Sequence, residues 1–105
     1  MITVGIDPGK KGALVRITDV TQEALPMPLM GKEIDSFAIA QWLKEQRPDI
    51  VYLEKVGARP NQGVVSMFNF GDGYGKVKGV LETLAIPYRL ITPQQYLMLV
   101  VFIQI

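Results

Sequence analysis

The first fifteen residues, Met1-Ile-Thr-Val-Gly-Ile-Asp7-Pro-Gly-Lys-Lys-Gly-Ala-Leu-Val15, contain a strand, a turn and the start of a second strand. Ile2, Val4 and Ile6 recur at the two-residue period of a β-strand with one buried face. Asp7 ends that strand, and the Pro-Gly pair after it turns the chain into another apolar segment. The pattern predicts a β-hairpin that presents a carboxylate at the end of its first strand.

A second carboxylate is presented in the same way further along the chain. The apolar run 50–53 predicts a short buried strand, and Glu54 stands at its C-terminal end. If the two strands are parallel neighbours, they lie about 4.8 Å apart, and Asp7 and Glu54 can share a divalent cation. The alternative is structural, because Asp before Pro-Gly is a common turn former and a Glu at a strand end is often only solvated.

The remaining pattern predicts an α/β fold of one domain. Residues 13–18 predict the returning arm of the hairpin, and residues 23–27 a short edge strand that contains Pro26. A strand over 88–92 precedes Thr92-Pro-Gln-Gln95, a capping box that begins a further helix. Two helices complete the pattern: one capped by Asp35 or Ser36 with apolar positions Ile34, Ala38, Ile39, Trp42 and Leu43, and one over about 62–84 with Phe70, Tyr74, Val77, Leu81 and Leu84 on one face.

The composition excludes several classes of site. There is no cysteine and no histidine, so a disulfide framework, a thiolate or histidine zinc site and a Ser-His nucleophile are excluded. Oxygen-ligated Mg²⁺ or Mn²⁺ fits the acids that are present. The net charge of +1 gives no global attraction to nucleic acid, so any DNA affinity must come from local clusters of basic residues. No signal peptide precedes the first strand, and we expect a cytoplasmic protein without a membrane partner.

Three sequence blocks together resemble the RuvC-type Holliday junction resolvases of the ribonuclease H-like superfamily. The blocks are Gly5 to Leu14, Glu54 to Gly63 with Ser66 to Gly71, and Thr92 to Gln95, and the resemblance runs from residue 1 to about 96. It implies a mixed five-stranded sheet flanked by helices and a homodimeric, Mg²⁺-dependent (or Mn²⁺-dependent) endonuclease of four-way DNA junctions. In that family Asp7 and Glu54 would be the catalytic metal ligands.

The C-terminal segment departs from the family pattern. The family draws further acidic ligands from a C-terminal helix, whereas residues 97–105 form an atypical apolar tail and no charged residue follows Arg89. The expectation is therefore a nuclease domain over 1–96 that lacks the last helix of the family and cleaves junctions poorly. A frameshift, a premature stop and a natural short form all agree with this pattern. At nine residues the tail is too short to span a bilayer as a helix, which needs about 20.

Basic residues follow both acids closely. Lys10, Lys11, Lys55 and Arg59 stand where a DNA backbone would lie beside the acids, and they can hold phosphates without reading sequence. The alternative for the two turn lysines is plain solvation. Phe68 and Phe70 allow two interpretations, insertion between bases or packing in the core or a dimer.

The helix over about 62–84 is the predicted dimer interface. Its glycines at 71, 75 and 79 recur every fourth residue and lie on one face of the helix, where another backbone can approach closely. Packing against another helix of the same chain is the structural alternative. The resemblance favours the subunit interface, for which the predicted residues are Phe70, Gly71, Tyr74, Gly75 and Gly79.

The sequence agrees with three functions of different classes. The first is a RuvC-type endonuclease impaired by too few carboxylates, and the second is a non-catalytic DNA-binding or dimerisation module with the same fold. The third is a fragment of an actin-like ATPase or sugar kinase, which shares the strand-Asp-Gly-turn-strand opening. Glu54 and the Gly-Ala-Arg-Pro-Asn-Gln block after it favour the first two.

Overall fold

In residues 1–55 and 63–103, the part of the chain that the computed structural model describes, the predicted hairpin forms one half of a five-stranded sheet. Strand β1 (Thr3–Ile6) pairs antiparallel with β2 (Ala13–Ile17). Strand β2 in turn pairs antiparallel with β3 (Gln22–Pro26), which lies at the sheet edge. The hairpin and the edge strand are therefore confirmed.

A short second hairpin, which the sequence did not predict, follows the edge strand. Strands β4 (Leu29–Met30) and β5 (Glu33–Ile34) pair antiparallel across a two-residue loop. Gly31 opens that loop with φ of 65°, the left-handed conformation that a type II′ turn needs at its first central position. Strands of two residues have no periodicity to detect. The assignment of Ile34 to a helix was wrong, because this residue is buried in β5.

The other half of the sheet is parallel. Strand β6 (Ile50–Glu54) lies beside β1, and β7 (Tyr88–Ile91) lies beside β6, which gives the order β3-β2-β1-β6-β7. Helix α1 (Ser36–Glu45) precedes β6, and α2 (Val64–Thr83) connects β6 to β7. Parallel neighbours need such crossover connections. The fold is the predicted mixed five-stranded sheet flanked by helices.

The helices cover opposite faces of this sheet. Helices α1 and α2 contact each other, whereas α3 (Pro93–Ile103) contacts β1 and β6. Because side chains alternate along β1, Val4 and Ile6 enter the core, and Gly5 faces α3. The apolar residues with no exposed surface are Val4, Ile6, Leu14, Ile39, Leu43, Val51, Leu53, Val77 and Leu81.

Both predicted helix caps are formed. Asp35 accepts a hydrogen bond from the Ala38 backbone N–H at 3.1 Å, and α1 begins at the next residue. The Thr92 hydroxyl accepts from the Gln95 N–H at 3.1 Å, while the Gln95 side chain accepts from the Thr92 N–H at 2.9 Å. This reciprocal capping box fixes the start of α3. Within the described ranges, no helix has the length and apolar character needed to cross a bilayer.

Candidate metal and DNA site

Asp7 lies at the tight turn that follows β1. Its backbone N–H donates to the Ala13 carbonyl at 3.0 Å, and its carboxylate accepts from the Gly9 N–H at 3.2 Å. Gly12 closes the turn against this residue, since a Cβ added there would lie 2.2 Å from the Asp7 carbonyl oxygen. The turn therefore holds the carboxylate in place, and only a residue without a side chain fits at position 12.

Glu54 lies on the strand next to Asp7. Strands β1 and β6 pair in parallel, with Ile6 opposite Leu53 as the last pair in register. The next residue on each strand is an acid, and residues in register on parallel strands point to the same face. That the two acids end adjacent parallel strands was predicted from the sequence and is confirmed. The negative charges of both carboxylates raise the pKa of one further side chain, that of Tyr96 in helix α3.

Tyr96 was not predicted as part of the site. Burial, followed by the negative charges of Asp7 and Glu54, raises the pKa of its hydroxyl to about 12, although a hydrogen bond with the Asp7 backbone acts in the opposite direction. The phenol is therefore protonated at neutral pH. The capping box predicted where α3 begins, but no local pattern indicates that its first turn packs on β1 beside Asp7.

The donors present fit part of the coordination shell of a hard divalent cation. Two carboxylates at adjacent strand ends are the oxygen ligands that Mg²⁺ and Mn²⁺ accept, and Mg²⁺ commonly keeps several waters. In residues 1–55 and 63–103 no group of three or more acids comes together. Asp7 and Glu54 would hold the cation between them, with water completing its shell.

A cleft of about 410 Å³ opens beside the turn that carries Asp7. The exposed residues Lys10 and Lys11 line one wall, and the first half of α2 lines the other with Ser66, Asn69 and Phe70. Phe70 thus faces this cleft. Phe68 is 74% exposed, so the core interpretation is wrong for it.

The other two predicted DNA contacts follow Glu54. Lys55 is exposed directly after β6, and its backbone N–H extends the ladder to the Ile91 carbonyl at 2.6 Å. Arg59 lies outside the described residues. Lys10 and Lys11 thus lie on the turn after β1 and Lys55 directly after the end of β6, and their contact with DNA stays a prediction.

The predicted interface residues on α2 divide into separate groups. In the part of the chain that the structure describes, a Cβ added to Gly71, Gly75 or Gly79 would meet no atom within 4 Å, so none of these glycines is in close contact with another element there. Gly73 is instead the glycine that packs, with Ile34 Cδ1 2.7 Å from the added Cβ. Tyr74, which was also predicted to lie in the interface, packs against the core with the rest of the apolar helix face. Val64, Val65 and Phe68 extend the open face as exposed apolar side chains.

Two solved structures show which known architecture this is. A structure of T. thermophilus RuvC in complex with Holliday junction substrate matches with a TM-score of 0.67 and 17% identity, over 90% of this chain and 68% of that one. The chain has a RuvC-like fold. A second Thermus thermophilus RuvC structure matches with a TM-score of 0.59 and 19% identity, over 90% of this chain and 66% of that one.

The RuvC-like match covers most of this chain and about two thirds of each solved RuvC chain. No protein-family model matches the sequence, and no curated protein matches it. At these identities the likeness concerns the fold, and what the chain does has to be argued from its own residues.

Proposed function

We propose that this chain binds four-way DNA junctions and carries a divalent-cation site for phosphodiester hydrolysis at Asp7 and Glu54. The observation that supports this most is the pair of acids at the ends of two adjacent parallel strands in a RuvC-like fold. The solved RuvC with TM-score 0.67 is in complex with Holliday junction substrate. We also propose a cytoplasmic location, where such DNA would be met.

The residues around the acids suit phosphate binding. Lys10 and Lys11 line the cleft next to Asp7, and cations there attract a phosphate backbone whatever its sequence. The Gly9 N–H holds the Asp7 carboxylate in one orientation, which leaves its other oxygen for a ligand. A bound Mg²⁺ or Mn²⁺ would lower the pKa of a water and stabilise charge that develops on the phosphate.

Cleavage by this chain alone should be slow. Two-metal hydrolysis needs ligands for one cation at the attacking water and another at the leaving oxygen. Two carboxylates are few for that task, and the described residues bring no third acid to them. This supports the second candidate function, a module that binds junctions without turnover.

The proposed assembly is a homodimer through the open face of α2. Among the described residues, a Cβ added to Gly71, Gly75 or Gly79 would meet no atom within 4 Å, and Val64 and Phe68 on the same helix are 82% and 74% exposed. Small residues allow close approach of a second helix, and exposed apolar side chains favour association.

Cleavage of a synthetic four-way junction in Mg²⁺ or Mn²⁺ tests the catalytic part of this proposal. We expect little or no product from the unaltered chain and none from Asp7→Asn, which removes the charge and keeps the shape. Junction binding should persist in both. Rapid cleavage by the unaltered chain, abolished by Asp7→Asn, would contradict the expected slow cleavage. It would mean that a partner chain supplies further metal ligands.

A further inference from the structure

The floor of the cleft beside Asp7 is a point where strand β5 and helix α2 touch. Ile34 of β5 and Gly73 of α2 both line the cleft. A Cβ added to Gly73 would lie 2.7 Å from Ile34 Cδ1, so the two elements approach as far as a residue without a side chain allows. Both residues are buried, and the cleft is the open space next to them.

Lys76 holds the same two elements together about one turn further along α2. Its ammonium group donates to the Ile34 carbonyl and to the Glu33 carboxylate, both at 3.3 Å. The lysine side chain is 29% exposed, so water screens these contacts only in part. Strand β5 is thereby attached to α2 through its backbone as well as through the side chain of Ile34.

The β4-β5 hairpin connects the two walls of the cleft. On one side, the Met27 N–H just before β4 donates to the Gly12 carbonyl at 2.9 Å, in the turn whose lysines line the first wall. The Asp35 N–H donates to the Pro28 carbonyl at 2.9 Å and closes the base of the hairpin. On the other side, β5 is held to α2, which forms the second wall. The contacts of this hairpin therefore set the separation of the walls.

The size and lining of the cleft suit one unpaired DNA strand. Its volume of about 410 Å³ is that of a small-ligand pocket, which typically measures about 300–1,000 Å³, and a duplex is too wide to enter it. Proteins bind single strands with cations on the phosphates and an aromatic ring stacked on a base. Here Lys10 and Lys11 line one wall and Phe70 lines the other. A strand that leaves its duplex, as at a junction, fits this lining.

We propose that Gly73 and Lys76 are specificity-determining residues, which hold β5 against α2 at the separation where the cleft accepts one unpaired DNA strand and excludes a duplex. A larger residue at position 73 must turn the tip of Ile34 toward the cleft or move α2 outward, and either change alters the space for the strand. The inference rests on the DNA part of the proposed function and is independent of its cation site.

The first test exchanges side-chain size across this contact. Fluorescence anisotropy in EDTA gives the affinities for a labelled oligothymidine of about ten nucleotides and for a duplex. We expect the unaltered chain to prefer the single strand and Gly73→Ala to reduce that preference by about tenfold, the effect of losing one stacked base. Adding Ile34→Val to Gly73→Ala should restore it, because valine lacks the Cδ1 atom that the new methyl group would meet. A general loss of stability would weaken both affinities and leave their ratio unchanged.

Lys76→Met and Lys78→Met are a matched pair for the second contact. Both remove one positive charge from α2, but Lys76 contacts β5, whereas Lys78 Nζ lies 5.2 Å from the centre of the Tyr74 ring. Lys76→Met should reduce the single-strand preference about as much as Gly73→Ala, and Lys78→Met should leave it unchanged. This pair decides the question if Gly73→Ala does not fold.

The outcomes separate this inference from the proposed function. An unaltered chain that binds duplex as tightly as the single strand would overturn the inference alone. So would an unchanged ratio of the two affinities in folded Gly73→Ala and Lys76→Met, or a preference that Ile34→Val does not restore. An unaltered chain that binds neither DNA would overturn the inference together with the DNA part of the proposed function.

Discussion

At the scale of single residues, the position of Asp7 depends on a residue that has no side chain. Gly12 lies so close that an added Cβ would be 2.2 Å from the Asp7 carbonyl oxygen and 2.8 Å from its carboxyl carbon. Backbone cannot move aside as a flexible side chain can. The turn and the carboxylate must therefore shift together if this residue is enlarged.

Gly12→Ala should both destabilise the chain and disturb the acid pair. We expect a loss of at least about 1–3 kcal/mol in the free energy of unfolding, as for other overpacked sites, and weaker Mn²⁺ binding. Gly71→Ala is the control, measured at a concentration where the protein is monomeric, because a Cβ there would meet no described atom within 4 Å and should be neutral or stabilising by up to about 1 kcal/mol. Denaturant unfolding and Mn²⁺ titration measure both effects. Normal cation binding by Gly12→Ala would show that this turn does not set the Asp7 position.

The Tyr96 hydroxyl predicts a loss of stability at alkaline pH. Its pKa rises from 10.0 to about 12 on folding, so between these values the unfolded chain releases the proton and the folded chain keeps it. The unfolded state then binds fewer protons, and the free energy of unfolding falls as pH rises. Tyr96→Phe should flatten this part of the profile, as measured by denaturant unfolding from pH 9 to 12. An identical slope in both proteins would contradict the assignment.

Sequence patterns predicted Asp7 and Glu54 but not Tyr96, for a physical reason. Each acid ends an apolar strand, and the strand period fixes its face, so position along the chain was enough. Tyr96 reaches the acids only because α3 crosses the sheet at Gly5, a tertiary contact that no local period encodes. The strand period cannot show what fills the space beside Gly5, because that depends on how the helix docks.

At the scale of elements, α2 ends in an unusual way. The Ile86 N–H donates to the Leu81 carbonyl and the Ala85 N–H to the Glu82 carbonyl, which is the Schellman arrangement. Its left-handed position is taken by Ala85, with φ of 56°, where glycine is usual. The Arg47 guanidinium donates to the carbonyls of Leu84 and Ala85 at 2.9 and 2.8 Å, which satisfies the helix end.

Ala85→Gly should stabilise the protein. A left-handed conformation costs a residue with a Cβ about 1–2 kcal/mol, and the glycine loses part of that gain through its greater freedom in the unfolded chain. We expect a net gain of about 1 kcal/mol, visible as a higher melting temperature. Ala40→Gly, in the interior of α1, is the matched control and should destabilise by about 1 kcal/mol. A lower melting temperature for Ala85→Gly would contradict the cap.

The elements that were predicted well carry strong local signals. Strands β1 and β6 are apolar runs that end in polar residues, and α1 and α3 begin at recognisable caps. The short hairpin β4-β5 was missed because two residues per strand cannot show a period. On α2, the spacing of the glycines identified one helix face, but it could not show that Gly73 would be the glycine packed inside the chain.

At the scale of the whole molecule, the open face of α2 predicts a dimer. Gly75→Leu should shift the protein toward a monomer at micromolar concentration in light scattering, because it places a bulky side chain on the face where the partner helix would approach. The unaltered chain should scatter as a dimer. A monomeric unaltered chain, or a Gly75→Leu dimer of undiminished stability, would contradict this interface.

With a net charge of only +1, the proposed DNA binding must depend on a local group of basic residues. The described basic side chains available for it include Lys10 and Lys11, which line the cleft, and Lys55, which follows β6. An interaction of this kind weakens as salt rises, because phosphate contacts release counterions. Shape, rather than base sequence, must then distinguish a junction from a duplex.

Competition between a four-way junction and a duplex of the same arm sequence tests the central claim most directly. Fluorescence anisotropy in Mn²⁺ at several salt concentrations gives both affinities. We expect the junction to bind at least about tenfold more tightly, a difference of about 1.4 kcal/mol, and Lys10→Ala combined with Lys11→Ala to weaken both affinities and reduce their salt dependence. Equal affinity for junction and duplex, with no effect of the lysine substitutions, would contradict the account.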